Sequence, residues 1–174
     1  MSTIQKVNFE PVSDILPVQR RDFALADATL ANPLNSVALV DGEWVTLDSS
    51  SKIIRASTIG SVGNQATVAS FPLFAERGRY DTQGIAGTKM PILWMGEFEV
   101  DTRVFDASAV VGSGAAITTM FQWLKVATIT IGSRNYTGLV GHGGAADTSP
   151  VVGQVTRLPS ANGGKLRFKK AWRQ

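Results

Sequence analysis

Along residues 96–105 apolar and charged side chains alternate. Phe98, Val100 and Val104 fall on one side, and Glu97, Glu99, Asp101 and Arg103 on the other. A period of two is the pattern of a β-strand with one dry and one wet face. The same texture recurs through most of the chain. Residues 37–40, 43–47 and 52–56 read as a three-strand meander, with Asp41-Gly42 at the first turn and the serines 49–51 at the second. Asp-Gly suits a tight hairpin, because a type I′ turn needs φ > 0 at both central positions.

Further strands are expected at 71–75, 91–95, 117–126, 127–131, 136–140, 151–158 and 166–168. Pro72 places the first of these at a sheet edge. Asn162-Gly163-Gly164 supplies the turn before the last. The stretches 57–70, 78–89 and 107–116 are rich in Gly, Ser, Thr and Ala and read as loops. About ten short strands at regular spacing predict an all-β fold, a small antiparallel β-barrel or β-sandwich with at most short helices. No internal repeat of solenoid length is visible.

Residues 1–35 differ. Pro11, Pro17 and Pro33 interrupt them, and each restricts its neighbour to extended conformations. Between the last two, Phe23, Ala26 and Leu30 allow about two turns of helix. The segment is expected to be an extended N-terminal arm in front of a β domain at 36–174. Its apolar residues Ile4, Val7, Phe9, Ile15 and Leu16 are candidate anchors on a neighbouring chain. Deleting residues 2–30 is expected to abolish such binding and leave a folded core.

Composition narrows the function. Of 174 residues, 44% are hydrophobic and only 18% charged, against a usual charged share of roughly 25%. A weakly charged surface suits a subunit that meets other protein. The net charge of +3 is mild, and basic residues are scattered until the last ten positions, which is not the clustered pattern of a nucleic-acid binder. The absence of cysteine excludes disulfides, thiolate catalysis and Cys-based zinc sites, and a single histidine, His142, leaves little room for multi-His metal chemistry. No apolar run reaches the roughly 20 residues of a membrane helix. The first residues lack a signal-peptide pattern, so synthesis in the cytoplasm is expected.

Glu97, Glu99 and Asp101 are the strongest candidates for chemistry. On a strand, successive members of the row lie about 7 Å apart on one face. Such carboxylates can serve glycoside hydrolysis or hold a hard cation. Alternation alone also explains them, with Arg103 completing the row and no aromatic residue beside them to stack a sugar. At a subunit contact they would pair with basic groups such as Arg77, Arg79 or Arg134. Gly112-Ser113-Gly114 lacks the third glycine and the βαβ setting of a dinucleotide loop. Gly141-His142-Gly143-Gly144 has no accompanying nucleophile elbow and reads as a flexible loop. At the C-terminus Lys165, Arg167, Lys169 and Lys170 mix with Phe168 and Trp172. These could contact phosphates and bases. They equally fit a last strand with Leu166 and Phe168 inward, Lys165, Arg167 and Lys169 outward, and Trp172 pinning the end. A third reading sets Lys169, Lys170 and Trp172 against an acidic protein surface.

Three stretches together resemble the capsid decoration (cement) proteins of tailed bacteriophages. They are Val37-Ala38-Leu39-Val40-Asp41-Gly42-Glu43-Trp44-Val45-Thr46-Leu47-Asp48 with Lys52-Ile53-Ile54-Arg55-Ala56; Gly96-Glu97-Phe98-Glu99-Val100-Asp101-Thr102; and Val151-Val152-Gly153-Gln154-Val155-Thr156 with Gly163-Gly164-Lys165-Leu166-Arg167-Phe168. The resemblance spans roughly residues 34–170 and is one of texture. It implies a β domain on the capsid surface of the virion, commonly a homotrimer, that bridges neighbouring major capsid proteins and resists internal pressure. It implies no catalytic residue and no cofactor, and neither membrane nor nucleic acid is expected as a partner. Phage tail-tube and head–tail connector subunits share this β texture. A long hairpin would mark them, with 78–89 as its place. A nucleic-acid-binding barrel is a further alternative.

Overall fold

The computed structural model describes residues 10–12, 20–30, 39, 42–56, 73–75, 89–93, 97–110, 112–160 and 164–173. They form a mostly β structure of two antiparallel sheets. The six-stranded sheet has the order β1 (Glu10–Pro11), β7 (Glu99–Thr102), β11 (Leu166–Arg173), β10 (Val151–Arg157), β8 (Trp123–Ile131) and β9 (Arg134–Gly141). The five-stranded sheet runs β2 (Arg20–Ala24), β6 (Lys89–Leu93), β5 (Leu73–Ala75), β3 (Trp44–Leu47) and β4 (Ile53–Arg55). The arrangement is sandwich-like. An isolated parallel bridge between Phe105 and Leu139 draws the chain after β7 to the outer edge of β9 without closing a barrel.

Alternation explains which side chains face inward. Phe98 and Val100 from one end of the six-stranded sheet meet Leu166, Phe168, Val155, Leu124 and Leu139 in the main core. Trp44 enters from β3, its ring 6.0 Å from that of Phe168. The next residue, Val45, points the other way and joins Leu47, Ile53 and Ile92 in a second core under Leu25, Leu30 and Leu39. All four residues of β3 are thus buried, as a strand covered on both faces requires.

Several expectations are corrected. Residues 20–24 form strand β2, paired with β6 from Arg20↔Leu93 to Ala24↔Lys89, and not a helix. Phe23 and Leu25 alternate as well as Phe23, Ala26 and Leu30 repeat, and the long-range partner decides between the two patterns. The N-terminal segment is also no mere arm: β1 and β2 join one sheet each, and Leu25 and Leu30 lie in the second core. Removing residues 2–30 therefore removes core. Strand β5, described from Leu73, is interior between β6 and β3 and not at an edge, and Pro72 lies outside the described residues. Of the expected strand at 37–40 only Leu39 is described, and its N–H donates to the Leu30 carbonyl. Gly42 has φ +83° as the expected turn needs, while Asp41 lies outside the described residues. The runs at 117–126 and 127–131 become a turn followed by the nine-residue β8, which forms a hairpin with β9 over Ile131↔Arg134. Gly132 there has φ +64°. Its left-handed backbone suits glycine.

Candidate functional site

The acidic row sits on the outer face of the six-stranded sheet, opposite the main core. Register sets its neighbours: Asp101 lies beside Arg167 and Glu99 beside Lys169 on β11, and Lys169 lies beside Gln154 on β10. Asp101 is 6% exposed. Its carboxylate accepts from Arg167 at 2.8 and 3.0 Å and from Arg157 at 2.9 Å. The Arg167 hydrogen bonds, with the nearby Arg157 charge, outweigh burial and hold the Asp101 carboxyl below the usual carboxylate range. Glu99 accepts from the Thr156 hydroxyl. Glu97, at the exposed end, pairs with Lys169 at 2.6 Å. Arg103 is exposed just beyond the strand.

The row is therefore neutralised within its own sheet. Of the basic partners expected across a subunit contact, Arg77 and Arg79 lie outside the described residues. Arg134 lies 5.0 Å over the Tyr136 ring. Carboxylates engaged in this way by arginine and lysine are poorly placed to act as a general acid and base pair. Among the described residues no group of three or more His, Asp or Glu side chains is disposed to hold a metal ion.

The C-terminal basic residues divide in the same manner. Arg167 and Lys169 are the outward partners just named. Lys170, a contact candidate from sequence, is buried at 6% exposure on the core side, its ammonium 5.2 Å over the Phe98 ring. Burial pulls its pKa down to about 8. Alternation with Phe168 puts it there, so Lys170 is not available to a partner as a surface cation. Trp172 belongs to β11, but its side chain lies outside the described residues, as do Ile4, Val7, Phe9, Ile15 and Leu16.

The glycine loop after β9 is ordered rather than flexible. Asp147 is buried and pairs with Lys125 at 2.7 Å. It also accepts from the Gly143 N–H at 3.0 Å and the Ser149 N–H at 3.0 Å. Burial opposes its ionisation, yet these bonds prevail and hold the carboxyl well below the usual range. His142 Nδ1 accepts the Gly144 N–H at 3.1 Å, which leaves Nε2 to donate to the Ser149 carbonyl at 3.0 Å. Both ring nitrogens are engaged in building the loop.

Four large hydrophobic side chains are exposed among the described residues: Val12, Val110, Met120 and Phe121. Sequence reasoning passed over all four. Phe121 and Met120 lie inside a run that reads as strand, and only the folded backbone shows a turn there. Phe121 has φ +62°, a left-handed conformation that costs a non-glycine residue roughly 1–2 kcal/mol. Its N–H donates to the Val155 carbonyl at 2.9 Å and its own carbonyl accepts from Gln154 Nε2 at 2.8 Å.

Comparison with known protein families, with curated proteins and with solved structures found no match. No helix among the described residues is long and apolar enough to cross a membrane.

Proposed function

We propose that the chain is a structural, non-enzymatic subunit of a tailed-bacteriophage particle. In this reading it decorates the outer capsid surface, bridges neighbouring major capsid proteins and works as a homo-oligomer without a cofactor. The phage setting rests on the resemblance of the three stretches. The mode of action rests on one observation: the outer face of the six-stranded sheet pairs its own charges, with Val12 exposed beside them and Met120 and Phe121 exposed on the turn that leads into β8. Balanced charge with exposed apolar groups is suited to docking on protein. It offers little to a polyanion, because Arg157, Arg167 and Lys169 already meet carboxylates.

The test is co-sedimentation of the full chain with empty capsids of the particle it belongs to. Saturable recovery in the pellet supports the reading, and a chain that stays in the supernatant at every ratio refutes it. The tail-tube reading gains one observation, the long β8–β9 hairpin. Its outer edge, however, is covered from Thr137 to Gly141: Thr137 by Glu43, Leu139 by residues 104–106 and Gly141 by Ala115. Rings or tubes assembled by the purified chain, seen by electron microscopy, would favour that reading over decoration.

A further inference from the structure

The two sheets repeat one plan. With β1 set aside, each holds five described strands that follow one another along the chain, β2 to β6 in one and β7 to β11 in the other. In both units the first strand pairs with the fifth, the fifth with the fourth, the fourth with the second and the second with the third. Every one of these pairings is antiparallel. The chain leaving the first strand then reaches the third through a parallel bridge, Leu25 to Ile53 in one unit and Phe105 to Leu139 in the other. The next N–H fixes each bridge: Ala26 donates to the Ile53 carbonyl at 3.0 Å, and Asp106 to the Leu139 carbonyl at 3.0 Å.

Register agrees as well as order. Cross-strand partners run Arg20, Leu93, Phe74, Trp44 through the first unit and Glu99, Lys169, Gln154, Trp123 through the second. Arg20 therefore matches Glu99 and Trp44 matches Trp123, at the same interval along the chain. That interval also brings Asp22 onto Asp101, Asp27-Ala28-Thr29 onto Asp106-Ala107-Ser108, and Gly42 onto Phe121. The Thr29 N–H donates to Asp27 Oδ1 at 2.8 Å, and the Ser108 N–H to Asp106 Oδ1 at 2.9 Å. Gly42 has φ +83° and Phe121 φ +62°. Glycine adopts that backbone freely and phenylalanine does not, so the second unit keeps a turn its own residue disfavours.

Unrelated small β units can share a strand order. Here order, register, identical residues at one interval and a left-handed turn at the same place all agree. We infer that the chain is an internal duplication of one β unit, residues 20–93 and 99–173, and that it seats one unit on each of two like neighbours in a repeating partner lattice. The second half rests on the capsid-bridging reading and deepens it. A shell offers the same surface many times, and a chain bridging two copies needs either two unlike faces or one face twice. Duplication supplies the second, and two linked contacts bind far more tightly than one. The modes differ in count. Unlike faces let each capsid protein meet two chains, which saturates at one chain per capsid protein. One face used twice saturates at one chain per two.

Cryo-electron microscopy of heads saturated with the full chain tests this. Two capsid proteins per chain are expected, one under each unit and related by the rotation that superposes 20–93 on 99–173. One chain per capsid protein, both units on a single capsid protein, or unlike contacts under the two units overturns the two-site binding. Units that differ in strand order or register, in that map or in a crystal of the free chain, overturn the duplication. Heads that stay bare at every ratio refute the capsid reading and the two-site binding together, whereas binding at one chain per capsid protein refutes only the latter.

Discussion

One carboxylate oxygen of Glu43 accepts both the backbone N–H of Thr137, at 3.1 Å, and its hydroxyl, at 3.2 Å, although the two residues are 94 positions apart. The same oxygen takes the Arg55 Nε hydrogen at 2.8 Å. Glu43 leads into β3 and Thr137 lies on the outer edge of β9, so this buried acid ties the two sheets together. It also occupies a backbone donor that would otherwise offer an edge for strand addition.

Replacing Glu43 is expected to be costly in a graded way. Glu43→Ala leaves the Thr137 N–H and Arg55 without this acceptor and should destabilise the fold by about 3–5 kcal/mol. Glu43→Gln retains an oxygen for Thr137 and should cost less. Urea unfolding of the two variants beside the parent chain checks the order.

Asp101 should govern part of the acid limb of stability. Its folded-state pKa lies below the unfolded value, so its contribution is complete above about pH 4 and disappears as pH falls through the folded value. Asp101→Asn is expected to cost about 2 kcal/mol at neutral pH, a typical worth for hydrogen bonds to a charged group. Its deficit against the parent should shrink as pH falls below about 4. Unfolding free energies across that interval provide the measurement.

Lys170 makes stability rise with pH as well, at the alkaline end and for the opposite reason, since folding disfavours its charged form. With a folded pKa of about 8, below the unfolded value of about 10.4, the native state releases its proton first, and stability rises with pH between the two. Below pH 8 the charge is held in the core at a cost on the order of 3 kcal/mol, partly offset by the Phe98 ring. Lys170→Met should therefore stabilise the chain at pH 7, and its advantage should shrink towards pH 10.5. Paired denaturation curves at the two pH values decide this.

The turn at Phe121 predicts an unusual order of stability. Phe121→Gly relieves the left-handed strain that Phe121→Ala retains, so the glycine variant should be the more stable of the two by about 1 kcal/mol. Thermal unfolding of the two variants checks the order.

Much of the fold was legible from period alone. The pattern at 96–105 correctly placed Phe98, Val100 and Val104 in the interior, and the strands at 43–47, 52–56, 136–140 and 151–158 correspond to β3, β4, β9 and β10. Failures occurred where a distant partner decides. Phe23 suited helix and strand equally until β6 settled the matter. The acidic row was visible, but Arg157 and Arg167, 56 and 66 positions from Asp101, carry no local mark as its partners. Glu43 beside a glycine turn reads as surface, and nothing nearby announces Thr137. The exposed turn at Met120 and Phe121 was hidden because φ at Phe121 is a property of the folded backbone, held from Val155 and Gln154.

The capsid role is tested most directly by the temperature at which DNA-filled heads lacking the chain release their DNA, measured with and without added protein. Decoration predicts a release temperature that rises with added chain and levels off once the sites are filled. Release at an unchanged temperature under saturating protein would contradict it.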